Sequence, residues 1–171
     1  MRCPRNVGDH GYRAAVISPV PAPPSPLRPS GCALLVRTDF SNERSWEALC
    51  EGVRTPSEDD FLATVDIVDD DAYRDLTATQ LRNLYPDPHP VGPYFFFVAD
   101  ADAVASAEHP LLVVPVPYPE PEYAYLNEPP RATFRVVVAR LWSVENNLSL
   151  ANMDWAEFAH SVDEDGVFRG F

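Results

Sequence analysis

Acidic side chains close three apolar runs of this chain. Asp39 ends LLVRTD, Asp69 and Asp70 follow Ile67 and Val68, and Asp100 and Asp102 follow the run Phe95 to Ala99. If the three runs are parallel strands of one open sheet, their carboxyl ends share an edge, which is where α/β sheets bind ligands. Carboxylates converging there repel one another, raise some of their own pKa values, and are relieved by a hard cation such as magnesium. The chemistry such a cluster supports is magnesium-dependent phosphoryl transfer or hydrolysis, with Asp39, Asp69, Asp100 and Asp102 as ligands. The plainer reading is that strands end where the chain meets water and that Asp is a good turn and cap residue.

A second constellation lies near the C-terminus. Glu145, Asn146 and Asn147 interrupt the apolar run Leu141, Trp142, Val144, Leu148 and Leu150, and Asn152 and Trp155 follow. An acid and three amides between two tryptophans could read a protein partner through directed hydrogen bonds around an aromatic anchor, using Trp142, Glu145, Asn146, Asn147, Asn152 and Trp155. The same groups could instead saturate the backbone of a tight turn that seats the last helix, and amides are well suited to that task. His10, His89, His109 and His160 show no ligand spacing, so a zinc site has little support. Glycine-rich phosphate loops and a G-x-S-x-G elbow are absent from the sequence,. Asp163-Glu164-Asp165-Gly166 is too close to the end for a twelve-residue calcium loop and reads as a helix exit,.

These residues must be positioned by elements with their own signals. Cys32 to Asp39 reads as a buried strand, and a helix follows in which Trp46, Leu49, Cys50 and Val53 share a face, with Ser41 as a candidate cap,. Phe61 to Val68 reads as a second strand, so a parallel crossover joins the two. Thr77 with Gln80 forms a capping box, stapled by Leu76 and Leu81, for a short helix that Pro86 stops,. Tyr94 to Ala99 is a central strand. Leu111 to Val116 is a fourth strand returning antiparallel, and Thr133 to Val138 a fifth. Asp154 with Glu157 makes a second capping box, with Met153 and Phe158 as staple and Gly166 closing the helix,. The expected fold is a single α/β domain: a mixed sheet of about five strands, the first three parallel and then antiparallel, with about three helices and the C-terminal helix packed on the sheet. Three layers are the economical arrangement, or two if all helices share a face.

The domain should span residues 32–171. Residues 1–31 hold six prolines between Ser18 and Pro29 and read as a disordered or polyproline leader, and the Pro-, Glu- and Tyr-rich stretch 115–130 as a surface insertion,. Net charge is -13. All thirteen basic residues are arginines, and beyond residue 31 nine arginines face 25 acids. Such a surface repels nucleic-acid phosphates and anionic membranes, and suits a basic protein partner or a cation. No run approaches the ~18 apolar residues of a membrane span. Three cysteines, one of them necessarily odd, fit reduced thiols,. A cytoplasmic location follows as the expectation. The absence of lysine and the Pro, Ala, Val and Asp bias fit a GC-rich bacterial genome.

Three stretches carry a resemblance. The closing run LWSVENNLSLANMDWAEFAHSVDEDGVFRGF, with LLVRTDFSNERSWEALC and YFFFVADADAV, resembles a family of small, mostly actinobacterial proteins classed as a domain of unknown function. The similarity spans about Cys32 to Phe171, interrupted by the proline-rich insertion, and implies one compact domain, with no catalytic residue to carry over. FFFVADADAV by itself also resembles the nucleophile motif of haloacid-dehalogenase-type phosphatases, with Asp100 and Asp102 in the motif positions. It departs from that pattern in falling past mid-chain, in lacking the usual phosphate-binding lysine, and in leaving too few residues to complete the sheet. The reading that combines these features is a non-enzymatic protein-interaction module without cofactor, of immunity or antitoxin type. The alternative is the magnesium enzyme.

Overall fold

The computed structural model describes residues 24–86, 92–118, 121, 127 and 130–171. Most of the expected leader, His10, His89 and most of the Pro-rich insertion therefore lie outside the described residues. Six strands form one sheet: β1 (Ala33–Arg37), β2 (Val65–Val68), β3 (Phe95–Ala99), β4 (Pro110–Pro115), β5 (Phe134–Val137) and β6 (Val167–Phe168). Their order is β2-β1-β3-β4-β5-β6. β1 pairs in parallel with β2 and β3, β4 runs antiparallel to β3 and β5, and β6 is parallel to β5. The mixed sheet, parallel first and then antiparallel, is the one expected.

Side chains alternate across this sheet because successive residues of a strand point to opposite faces. Ala33, Leu35, Phe95, Phe97, Leu111, Val113, Phe134 and Val136 enter one core. Leu34, Val36, Phe96, Val98 and Val114 enter the other. The first core is covered by α1 (Glu43–Arg54) through Trp46, Leu49, Cys50 and Val53, by α3 (Ala101–Ala105), by α4 (Leu141–Ser149) and by α5 (Trp155–Ala159). The second is covered by Leu81 of α2 (Ala78–Asn83), by Tyr73, and by Leu27 from the stretch preceding β1. Leu27 is held there by its amide, which donates to the Leu84 carbonyl at 2.8 Å, while the Tyr73 hydroxyl donates to the Ser25 carbonyl at 3.1 Å. Helices on both faces make three layers.

Both capping boxes are present, at Thr77 with Gln80 and at Asp154 with Glu157. Other expectations are corrected. The cap of α1 is Asn42 and not Ser41, whose amide donates to Asp39. α5 ends at Ala159, well before Gly166, which with φ 77° instead turns the chain into β6. A two-residue strand has no periodicity, so β6 had no signature to read. Phe61 to Thr64 lies outside the sheet, and the Thr64 amide donates to the Glu145 carboxylate (2.9 Å) and not to a strand. Glu145, Asn146 and Asn147 sit inside α4 and not in a turn.

Candidate functional site

The strand-end aspartates are placed first by their strands and then by arginines. Arg37, the last residue of β1, has a buried side chain. Its guanidinium lies 4.3 Å from the Phe40 ring and 4.9 Å from the Trp46 ring. It donates to Asp69 (3.2 Å), to Glu43 (2.8 Å) and to the Asp39 carbonyl (3.0 Å). Burial opposes that charge more than any other single cause, but the Glu43 and Asp69 carboxylates together outweigh it and leave the pKa raised,. Asp69 also accepts from the Trp46 indole at 2.9 Å. Asp100 caps α3 by accepting from the Ala103 amide, and Arg135 of β5 donates to both Asp100 (2.7 Å) and Asp102 (2.8 Å). Asp39 accepts from Ser41, and those hydrogen bonds hold its carboxyl below the usual range.

The four acids are thus divided. Asp69 belongs to Arg37, Asp100 and Asp102 belong to Arg135, and Asp39 folds back on its own loop. Asp39 and Asp100, with Asp75, line a cleft of about 390 Å³ beyond the ends of β1 and β3, between the strand that leads to α1 and the one that leads to α3. Among the described residues no three His, Cys, Asp or Glu side chains are grouped as a metal ion would need.

The second constellation is also divided. Glu145 is 4% exposed, and its carboxylate accepts from the Thr64 amide (2.9 Å) and the Ser149 hydroxyl (2.7 Å). Asn146 donates to the Leu62 carbonyl (3.3 Å) and Asn147 to the Ser143 carbonyl (2.8 Å). Asn152 is exposed, and its amide donates to the Asn147 carbonyl at 2.9 Å. Trp155 is buried under Phe134, with its indole N–H donating to Ala132 and the Arg131 guanidinium 5.3 Å from its ring. Trp142, in the first turn of α4, is half-buried and packs against the first core. Its ring stacks on Phe61 with centroids 4.8 Å apart, and its buried N–H has no partner among the described residues.

Trp142 and Asn146 lie one turn apart on one face of α4, and Leu150 caps its end,. Asn146 and Trp142 hold Leu62 and Phe61 against that face. Phe61 is 49% exposed, Leu62 44% and Leu150 70%. Large apolar groups gathered this way on an acidic surface are a contact patch. Beside it, sharing Trp142, opens a cleft of about 730 Å³ whose lining includes Gly52, Glu58, Asp59, His109, Val138 and Arg140. Phe61 and Leu62 carry no surface signal because they open a run that reads as a strand, and Leu150 carries none because Glu145, Asn146 and Asn147 read as a turn. The spacing of residues 142 and 146 was the available signal.

Fold and surface together define a small three-layer α/β domain built on an open mixed sheet, with an apolar patch on one covering helix. Among the described residues, no helix is long and apolar enough to cross a membrane. Residues 32–171 match the model of a family described as a domain of unknown function, DUF6924, and the chain belongs to that family. A search of the curated proteins finds no match.

Proposed function

We propose that this chain is a non-enzymatic protein-interaction module that binds its partner through the outer face of α4 and the Phe61–Leu62 segment laid on it. The observation that carries the reading is the exposure of Phe61, Leu62 and Leu150 about α4, with Phe61 stacked on half-buried Trp142. Aromatic side chains of this kind are the usual energetic anchors of an interface. Asn146 and Glu145 serve the patch from beneath by fixing the Leu62 carbonyl and the Thr64 amide. A net charge of -13 favours a basic partner and speeds its approach,. An immunity or antitoxin-like component is the class of acidic binder that this description fits.

The magnesium-dependent alternative has less support. Asp69, Asp100 and Asp102 already accept hydrogen bonds from Arg37 or Arg135, and a cation would have to displace those guanidinium groups. The test is site-specific photo-crosslinking in cells, with the reactive group in place of Phe61, of Leu150, or of exposed Thr79 on the opposite face of the sheet. One discrete protein adduct shared by positions 61 and 150 and missing at 79 is the expected result. The same pattern at all three positions would overturn the reading.

A further inference from the structure

We infer that the cleft beside Trp142 receives an arginine or lysine side chain of the protein that docks on α4. This deepens the docking reading and rests on it. The cleft lies between α1, the turn at 55–59, the loop before β4 and the segment joining β5 to α4. Its lining includes an apolar stretch of Ala48, Gly52, Val137 and Val138. Gly52 is required there, because a Cβ on it would stand 2.6 Å from the Val138 side chain. Such a stretch suits the methylene stem of a long basic side chain.

The rim is chosen for a cation. Glu58 and Asp59 stand on it and make no ion pair among the described residues. His109 adds an acceptor. Its Nδ1 lies 2.9 Å from the Ala103 carbonyl, which can only accept, so Nδ1 carries a proton and in the neutral ring Nε2 is an acceptor,. Glu108 is held by Arg169 at 2.9 Å. Arg140 is the opposing charge of the lining, and its Nε donates to the Arg169 carbonyl at 3.2 Å. Trp142 contributes an aromatic wall, which attracts a cation,. A protein segment also brings backbone carbonyls. One of these could give the indole N–H of Trp142, which has no partner among the described residues, an acceptor,.

The experiment titrates the full chain with N-acetyl-argininamide, N-acetyl-lysinamide and the neutral N-acetyl-norleucinamide, following amide and indole resonances by NMR. Saturable shifts at Gly52, Ala107, His109 and the Trp142 indole are expected with the two cations. Norleucinamide should bind at least about fivefold more weakly, and Glu58→Gln with Asp59→Asn, both exposed, should weaken the cations by about fivefold. Equal binding of norleucinamide, or no saturable shift with either cation, overturns the inference. A partner cross-linked at Phe61 beside a silent cleft would sink this inference and leave the α4 surface standing. Cationic probes in the cleft with no adduct at Phe61 or Leu150 would overturn the docking reading, and with it the source of the cation.

Discussion

Arg37 brings a permanent charge to the end of an otherwise apolar strand, and at 2% exposure it has little water to solvate it. The site is tolerable because its donors are used by Glu43, Asp69 and the Asp39 carbonyl and its flat faces by Phe40 and Trp46,. Arg37→Met keeps the volume of the stem but leaves Asp69 and Glu43 without their shared cation. Because both acids are partly exposed and can regain water, the loss should be about 2 kcal/mol of unfolding free energy by urea titration. Arg37→Lys should recover only part of it, since an ammonium lacks the planar fork. A change under about 0.5 kcal/mol would show that the cluster is incidental. At this scale the sequence disclosed the acids and concealed their partners. Asp69 meets Arg37 across 32 residues and Asp100 meets Arg135 across 35, so no local pattern joins them.

The end of α4 shows how an element is shaped by the groups it must satisfy. The Asn152 amide donates to the Asn147 carbonyl (2.9 Å) and the Ala151 amide to the Leu148 carbonyl (3.4 Å), the paired bonds of a Schellman closure,. That closure places Ala151 at φ 53°, a conformation an alanine adopts at a cost,. Ala151→Gly should therefore stabilise the protein by about 0.5–1 kcal/mol, read as a rise in the denaturation midpoint without change of slope. A lower midpoint would mean that the turn does not hold this conformation in solution. Helix starts at Thr77 and Asp154 were readable because a capping box is written in four consecutive residues,. The exit of α4 was not, because glycine is absent from the position that usually announces it.

Over the whole molecule, one surface arginine ties distant segments together. Arg169, following β6, donates to Glu108 before β4 and to Asp163 and Asp165 in the turn after α5. Those hydrogen bonds raise the Arg169 pKa and lower those of Glu108 and Asp165. A lowered carboxylate contributes stability that is fully present above its unfolded value, about 4, and is lost as pH falls through the lower folded value. Arg169→Ala should reduce the melting temperature at pH 7, and the gap from the parent protein should close as pH drops below about 4. A gap that stays constant from pH 7 to pH 3 would show that the ion pairs contribute nothing and that the lost packing accounts for the whole effect.

What the sequence decided by itself is what depends on neighbours in the chain. Alternating and continuous apolar runs placed β1, β3, β4 and β5, and the Asp154–Glu157 box placed the start of α5, because strand pleat and helix cap act within a few residues. Tertiary structure alone decided the rest. Which carboxylates would be neutralised depended on arginines arriving from other strands. Whether Trp142 and Trp155 would share a surface depended on which side of each helix met the sheet. Trp155 was drawn under Phe134, while Trp142 was left half-buried at the edge of the same core and stacked on Phe61, a residue 81 positions earlier in the chain. Contacts over such separations are fixed by the packing of whole layers, and no stretch of sequence contains both partners.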